Sequence, residues 1–208
     1  MIYSNIKNRG FTILETLVAI TIILIAITGP LDIIAHSLKA SYYSRDEVTA
    51  FYLAQEAIEY ARNERDNNEL SQYTAVKDWL VGAVGSRDGS IDCLNDAGKN
   101  PTNKCILLQT TGGDYKYQKC VGACGIMYKN NEGIYGAENI GNLPPTNFTR
   151  EIYFTKVPDE SVLVGSRTPA DPTRNEVIAT VTVYWDNSVG SGNKFTLNTH
   201  LFNWKITE

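Results

Sequence analysis

Histidine is scarce in this chain of 208 residues, which holds only His36 and His200. Nucleophilic catalysis by cysteine or serine needs a nearby base, and neither histidine stands in a pattern that supplies one. The sequence has no G-x-S-x-G turn and no glycine-rich phosphate loop, so hydrolase and nucleotide-binding chemistries lack their usual scaffolds. Its four cysteines, Cys93, Cys105, Cys120 and Cys124, form no C-x-x-C pair and have no histidine nearby, which weighs against zinc. Carboxylates are plentiful, but no spacing pairs them at a site. Asp88-Gly89-Ser90-Ile91-Asp92 lacks the full ligand spacing of a calcium loop and reads as a turn. The formal charge of −4 argues against a general nucleic-acid-binding surface. A hydrophobic fraction of 43% and a charged fraction of 20% are ordinary for a folded chain and exclude wholesale disorder. The expectation is a protein that is not an enzyme and needs neither metal nor cofactor.

What is present is concentrated at the amino end. From Phe11 to Ile27 the chain is apolar apart from three threonines and one charge, Glu15. At ~1.5 Å per helical residue, that run crosses most of a ~30 Å hydrocarbon layer. Lys7 and Arg9 precede it without an acid, which keeps the amino end cytoplasmic. A cleaved secretory signal fits less well, because the run is long and no A-x-A site follows. A carboxylate inside a bilayer costs roughly 2.5–3.5 kcal/mol on insertion scales and needs a partner. Glu15 lies one helical turn after Phe11, so a cation at Phe11 of a neighbouring helix would reach its depth. Phe11 becomes cationic only if the chain is cut after Gly10, freeing an α-amine. Glycine, having no Cβ, suits such a cut.

Lys7-Asn8-Arg9-Gly10 followed by Phe11-Thr12-Ile13-Leu14-Glu15 and an apolar helix resembles the amino-terminal signature of bacterial type IV prepilins and the related pseudopilins. The resemblance implies a leader at 1–10, removed by a membrane prepilin peptidase, and methylation of the new Phe11 amine. It implies that Glu15 serves as the assembly carboxylate and that other pilin subunits and an inner-membrane assembly platform are partners; the charge balance predicts no direct nucleic-acid partner. The precursor would sit in the inner membrane, and the product would be an extracellular filament or a periplasmic pseudopilus. The implied fold is α+β and pilin-like: a long amino-terminal helix, its hydrophobic half protruding, packed on a carboxyl-terminal antiparallel sheet.

Within that frame residues 11–30 form the membrane and assembly helix, 31–66 the amphipathic half of the same helix, and 67–208 the globular head. Gly29-Pro30 should break or kink the helix, since proline lacks a backbone donor and clashes with the preceding turn. Beyond it, Leu31, Ile34, Leu38 and Tyr42 share one stripe, and Ala50, Ala54, Ala57, Ile58 and Ala61 another, of small residues that let a sheet approach closely. Glu56, Glu59, Arg62, Glu64, Arg65 and Asp66 are assigned to the wet face. The charged run from Arg65 to Glu69 should end the helix, with a shorter helix over 70–84 burying Trp79, Leu80 and Val84.

The cysteines all fall in the middle region, where export would favour two disulfides. Four cysteines allow three pairings; sequential neighbours, Cys93–Cys105 and Cys120–Cys124, are favoured because they would staple two loops. Short strands are expected over 105–109, 115–119 and 126–128, and a longer one over 149–157. Alternation from Val177 to Trp185 and from Phe195 to Phe202, across a turn-rich 186–193, predicts an antiparallel hairpin with one face on the helix. The Val-Thr-Val-Tyr-Trp strand, the glycine turn and Asn203-Trp204 also resemble the carboxyl end of minor pilins of the pilus-modification type. The cysteine-bearing middle region favours a minor subunit. A pseudopilin of a type II secretion or DNA-uptake apparatus, and a membrane-anchored binding protein that never polymerises, are the alternatives.

Overall fold

In a computed structural model of the protein, the described residues are 10, 12–70, 79–80, 93–96, 98–109, 115–120, 124–137, 143–157, 176–185 and 192–203. Residues 1–9, Phe11, most of the expected 70–84 helix, the Asp88–Asp92 turn, 186–191 and Trp204 lie outside them. The chain divides into two compact units, Met1–Arg45 and Asp46–Glu208.

One helix, α1 (Ile13–Leu70), contains 58 residues. From Ile13 to Ile27 it is apolar apart from Glu15 and two threonines, and all residues from Thr12 to Arg45 are exposed. Gly29 and Pro30 are both helical, so α1 is not broken there. Pro30 forfeits only its own hydrogen bond, to the carbonyl four residues earlier. Unwinding the flanking turns would strand several more polar groups in an apolar setting, which costs more. The helix also outlasts the expected stop at 65–69, ending at Leu70.

The second unit joins the later turns of α1 to an eight-stranded sheet: β1 (Leu94–Asn95), β2 (Cys105–Gln109), β3 (Tyr115–Lys119), β4 (Ile126–Lys129), β5 (Tyr135–Gly136), β6 (Pro145–Lys156), β7 (Glu176–Trp185) and β8 (Asn193–Phe202). β7 pairs along one edge of β6 from Thr149 to Lys156, and β8 pairs along the whole of β7. The opposite edge of β6 is divided: β4 takes its start, β2 meets it at Ile152, and β1 takes Phe154 and Thr155. The β1 pairing is parallel, a two-residue exception in an otherwise antiparallel sheet.

The alternating residues Val177, Ala179, Val181, Val183 and Trp185 are buried, in one core with Leu201, Ile152, Phe154 and the helix stripe Ala50, Ala54, Ala57, Ile58 and Ala61. Alanine at those helix positions keeps the backbones close. At the near end of the stripe, Phe51 meets Phe195 of β8 edge-to-face with ring centroids 5.6 Å apart. Gly125 is fixed by geometry: its φ of +78° lies in the left-handed region, and a Cβ there would overlap the Arg150 carbonyl. That closeness lets Arg150 N–H donate to the Gly125 carbonyl at 2.8 Å.

The wet-face assignment of α1 holds for Glu59 and Arg62, which are exposed, but not for Glu56, Glu64, Arg65 and Asp66, which are half-buried. The Arg150 guanidinium, 2% exposed, donates to Glu56 Oε2 at 2.6 Å and to the Leu53 carbonyl at 3.0 Å. Tyr115 Oη donates to Glu56 Oε1 at 2.9 Å, and Tyr60 Oη to the Tyr115 carbonyl at 2.6 Å. These bonds draw a carboxylate that sequence periodicity places in water onto the sheet.

Burial pushes the Glu64 carboxyl above its ordinary value of 4.5, only partly offset by its hydrogen bond with Tyr60. A raised carboxyl favours the folded state while protonated, so that contribution is present below about pH 4.5 and lost as pH rises through the folded value. Glu64→Gln should therefore give a modest rise in the thermal midpoint at pH 7. The gain should vanish in melts run below pH 4.

Candidate assembly site

Helix α1 begins on a cap. Thr12 Oγ1 accepts the Glu15 backbone N–H at 3.2 Å, and the Thr12 carbonyl accepts Thr16 N–H at 3.2 Å. Thr12-x-x-Glu15 has the spacing of a capping box, a local role for the acid that sequence reading passed over. Only half of the box is made. The return bond, from Thr12 N–H to the Glu15 carboxylate, is absent, and the carboxylate has no hydrogen-bond or ion-pair partner among the described residues.

The other polar side chains of this segment are handled differently. Thr16 Oγ1 donates to the Ile13 carbonyl at 2.8 Å, Thr21 Oγ1 to Val18 at 2.8 Å and Thr28 Oγ1 to Ile25 at 3.2 Å. Each hydroxyl is satisfied within its own helix, so the threonines place little polarity on the surface. Glu15 is the exception. The next charge along the helix is Asp32, which lies 3.5 Å from His36 in an exposed pair. Between Glu15 and Asp32 the helix rises about 25 Å. With Asp32 at one face of a ~30 Å hydrocarbon layer, Glu15 lies inside that layer near the other. A helix at Glu15's position in the first turn favours a negative charge, but the macrodipole supplies only about half an elementary charge. No cation meets Glu15 among the described residues.

Gly10 is exposed, with open space where a Cβ would stand. The apolar stretch of α1 is long enough to cross a membrane, and none of it is buried within the chain. The model of the prokaryotic N-terminal methylation motif matches residues 5–29. The chain carries a type IV prepilin signature. The matched segment takes in Gly10, Phe11 and Glu15 and stops at Gly29, so the prepilin signature covers the capped start and the apolar run of α1. It points to a pilin- or pseudopilin-type structural subunit anchored in a membrane. With the helix-on-sheet architecture of the second unit, it makes the fold α+β and pilin-like. No curated protein and no solved structure matches the chain.

The remaining candidate residues lie in the second unit. Cys93 is joined to Cys105 and Cys120 to Cys124, each with Cα atoms 5.7 Å apart. Cys120, Cys124 and Glu151 place potential ligand atoms within 4.8 Å of one another. The two sulfurs are tied up in a disulfide, and the Glu151 carboxylate is bonded to Lys104 Nζ at 2.7 Å. Partial burial disfavours the Lys104 charge, yet the hydrogen bond and charge of Glu151 outweigh it and raise the ammonium's pKa. His200 is exposed at the β7–β8 edge and bonded through Nδ1 to Glu176, a surface arrangement.

Proposed function

We propose that the protein is a structural subunit, of the minor kind, in a type IV pilus or pilus-like filament. Prepilin peptidase would cut between Gly10 and Phe11, and the Phe11 amine would be methylated. The α1 helix would wait in the inner membrane with its amino end in the cytoplasm until the assembly platform passes it to other pilin subunits. Glu15 would then meet the Phe11 amine of an adjacent subunit. The observation that carries this reading is the Glu15 carboxylate, without a partner among the described residues in an apolar run whose threonines are satisfied within the helix, one turn from the place where cleavage would create a cation.

Intact-mass and amino-terminal sequencing of the protein purified from cells containing the peptidase test it directly. The expected product begins at Phe11 and carries one extra methyl group. A chain still beginning at Met1 opposes the reading. Recovery in sheared extracellular filaments supports a pilus, whereas retention in the cell envelope with a secretion or DNA-uptake apparatus supports a pseudopilus.

A further inference from the structure

Residues of the loop closed by the Cys93–Cys105 disulfide line a cleft of about 490 Å³ together with Lys156 of β6. The loop is held in place by Asn95, which is 6% exposed. Its Nδ2 donates to the Asn103 carbonyl at 2.9 Å, and its Oδ1 accepts the backbone N–H groups of Thr102 and Asn103 at 3.0 and 2.9 Å. With both ends of its amide occupied, Asn95 acts as a strut inside the loop.

The groups left facing the cleft are of another kind. Lys99 Nζ and Lys156 Nζ share the Asp96 carboxylate, at 3.0 and 3.3 Å on its two oxygens. Among the described residues, two ammonium groups against one carboxylate leave a positive charge in excess, and each ammonium keeps donors that Asp96 does not use. The hydrogen bonds and charges of Lys99 and Lys156 hold the Asp96 carboxyl below its ordinary value, so this arrangement persists at neutral pH. Asn100 and Thr102 line the same cleft, and their side chains make no hydrogen bond among the described residues. Every lining residue except Leu94 is polar or charged.

This combination excludes two ligand classes. A divalent cation would meet net positive charge with a single carboxylate to hold it. An apolar ligand would strip water from lysine, asparagine and threonine without replacing their hydrogen bonds. An anionic group carried on a hydroxyl-rich ring satisfies both halves of the wall, and the volume lies within the ordinary range for small-ligand sites. We propose that the cleft lined by the Cys93–Cys105 loop and Lys156 binds an acidic saccharide. The lysines take the carboxylate, while Asn100 and Thr102 take ring hydroxyls. This site is independent of filament assembly and stands or falls separately from Glu15.

The test is an NMR titration of the full chain in detergent micelles with three probes: glucuronate, acetate and methyl glucoside. Glucuronate is expected to bind about tenfold or more tightly than either of the others. Lys99→Gln with Lys156→Gln is expected to abolish that preference without moving the thermal midpoint, since neither ammonium is part of the core. In the unaltered protein, glucuronate affinity should fall as salt rises from low to physiological strength. Acetate binding as well as glucuronate would reduce the cleft to a plain anion site and overturn the proposal. Equal binding of methyl glucoside, no binding of any probe, or an unchanged preference in the double variant would overturn it too.

Discussion

Glu15→Ala is expected to lower recovery of the subunit in filaments about tenfold or more, because an amine left charged in lipid without its partner costs several kcal/mol and each 1.4 kcal/mol is a factor of ten. The side chain has no hydrogen-bond or ion-pair partner among the described residues, so its removal sacrifices none of the bonds that hold the second unit together. Its backbone N–H still reaches the Thr12 cap in the alanine variant, which keeps the helix start intact. Immunoblots of sheared filaments against membrane fractions give the incorporation ratio, and thermal melts followed by circular dichroism check folding. Glu15→Gln separates charge from shape: it keeps the hydrogen-bonding length of the side chain, and if charge is what matters it should fail nearly as badly as alanine. Normal incorporation of Glu15→Ala would remove the carboxylate from assembly.

The largest effect on stability is expected from Glu56→Ala. Arg150 is almost wholly buried, and Glu56 supplies its counter-charge at 2.6 Å. Removing that carboxylate leaves a guanidinium in the core with the Leu53 carbonyl as its remaining acceptor on the helix among the described residues. It also takes the acceptor from Tyr115 Oη. Breaking a buried pair from one side typically costs about 3–5 kcal/mol. For a unit of this size that lowers the thermal midpoint by roughly 10 °C. The compensating test is Glu56→Ala combined with Arg150→Met. Replacing both charges with apolar groups is often neutral, so the double variant should recover much of the loss. If Glu56→Ala alone melts like the parent, the pair is not holding the helix to the sheet.

These two carboxylates show what the sequence could and could not disclose. Glu15 stands out because its surroundings in the chain are uniformly apolar, and one misplaced charge in such a run is visible without coordinates. Glu56 sits among other charged residues at ordinary helical spacing, so periodicity assigns it to water. Its partner lies on β6, far along the chain, and no local pattern announces that meeting. The strands divide in the same way. β2, β3, β7 and β8 alternate or carry enough β-branched and aromatic residues to declare themselves, and they lie where those patterns place them. β6 begins at Pro145, earlier than its hydrophobic pattern indicates, because proline is tolerated at a strand's first residue. β1 and β5 are two residues each, too short for any alternation to register. The Asn95 strut is equally invisible: one of three asparagines in a short loop reads as turn chemistry, whereas its role comes from a buried amide bonded at both ends.

The divided edge of β6 has a consequence for how such a subunit can change over generations. The helix, β6, β7 and β8 form a frame whose pairings run unbroken, and altering any of them would disturb every neighbour in register. The other side of β6 is tiled by three separate short strands, each attached through only a few backbone bonds. A segment there can lengthen, shrink or be exchanged while the frame keeps its alignment. Surface chemistry can thus diversify in the disulfide-bearing half of the head without altering the prepilin signature at the helix start.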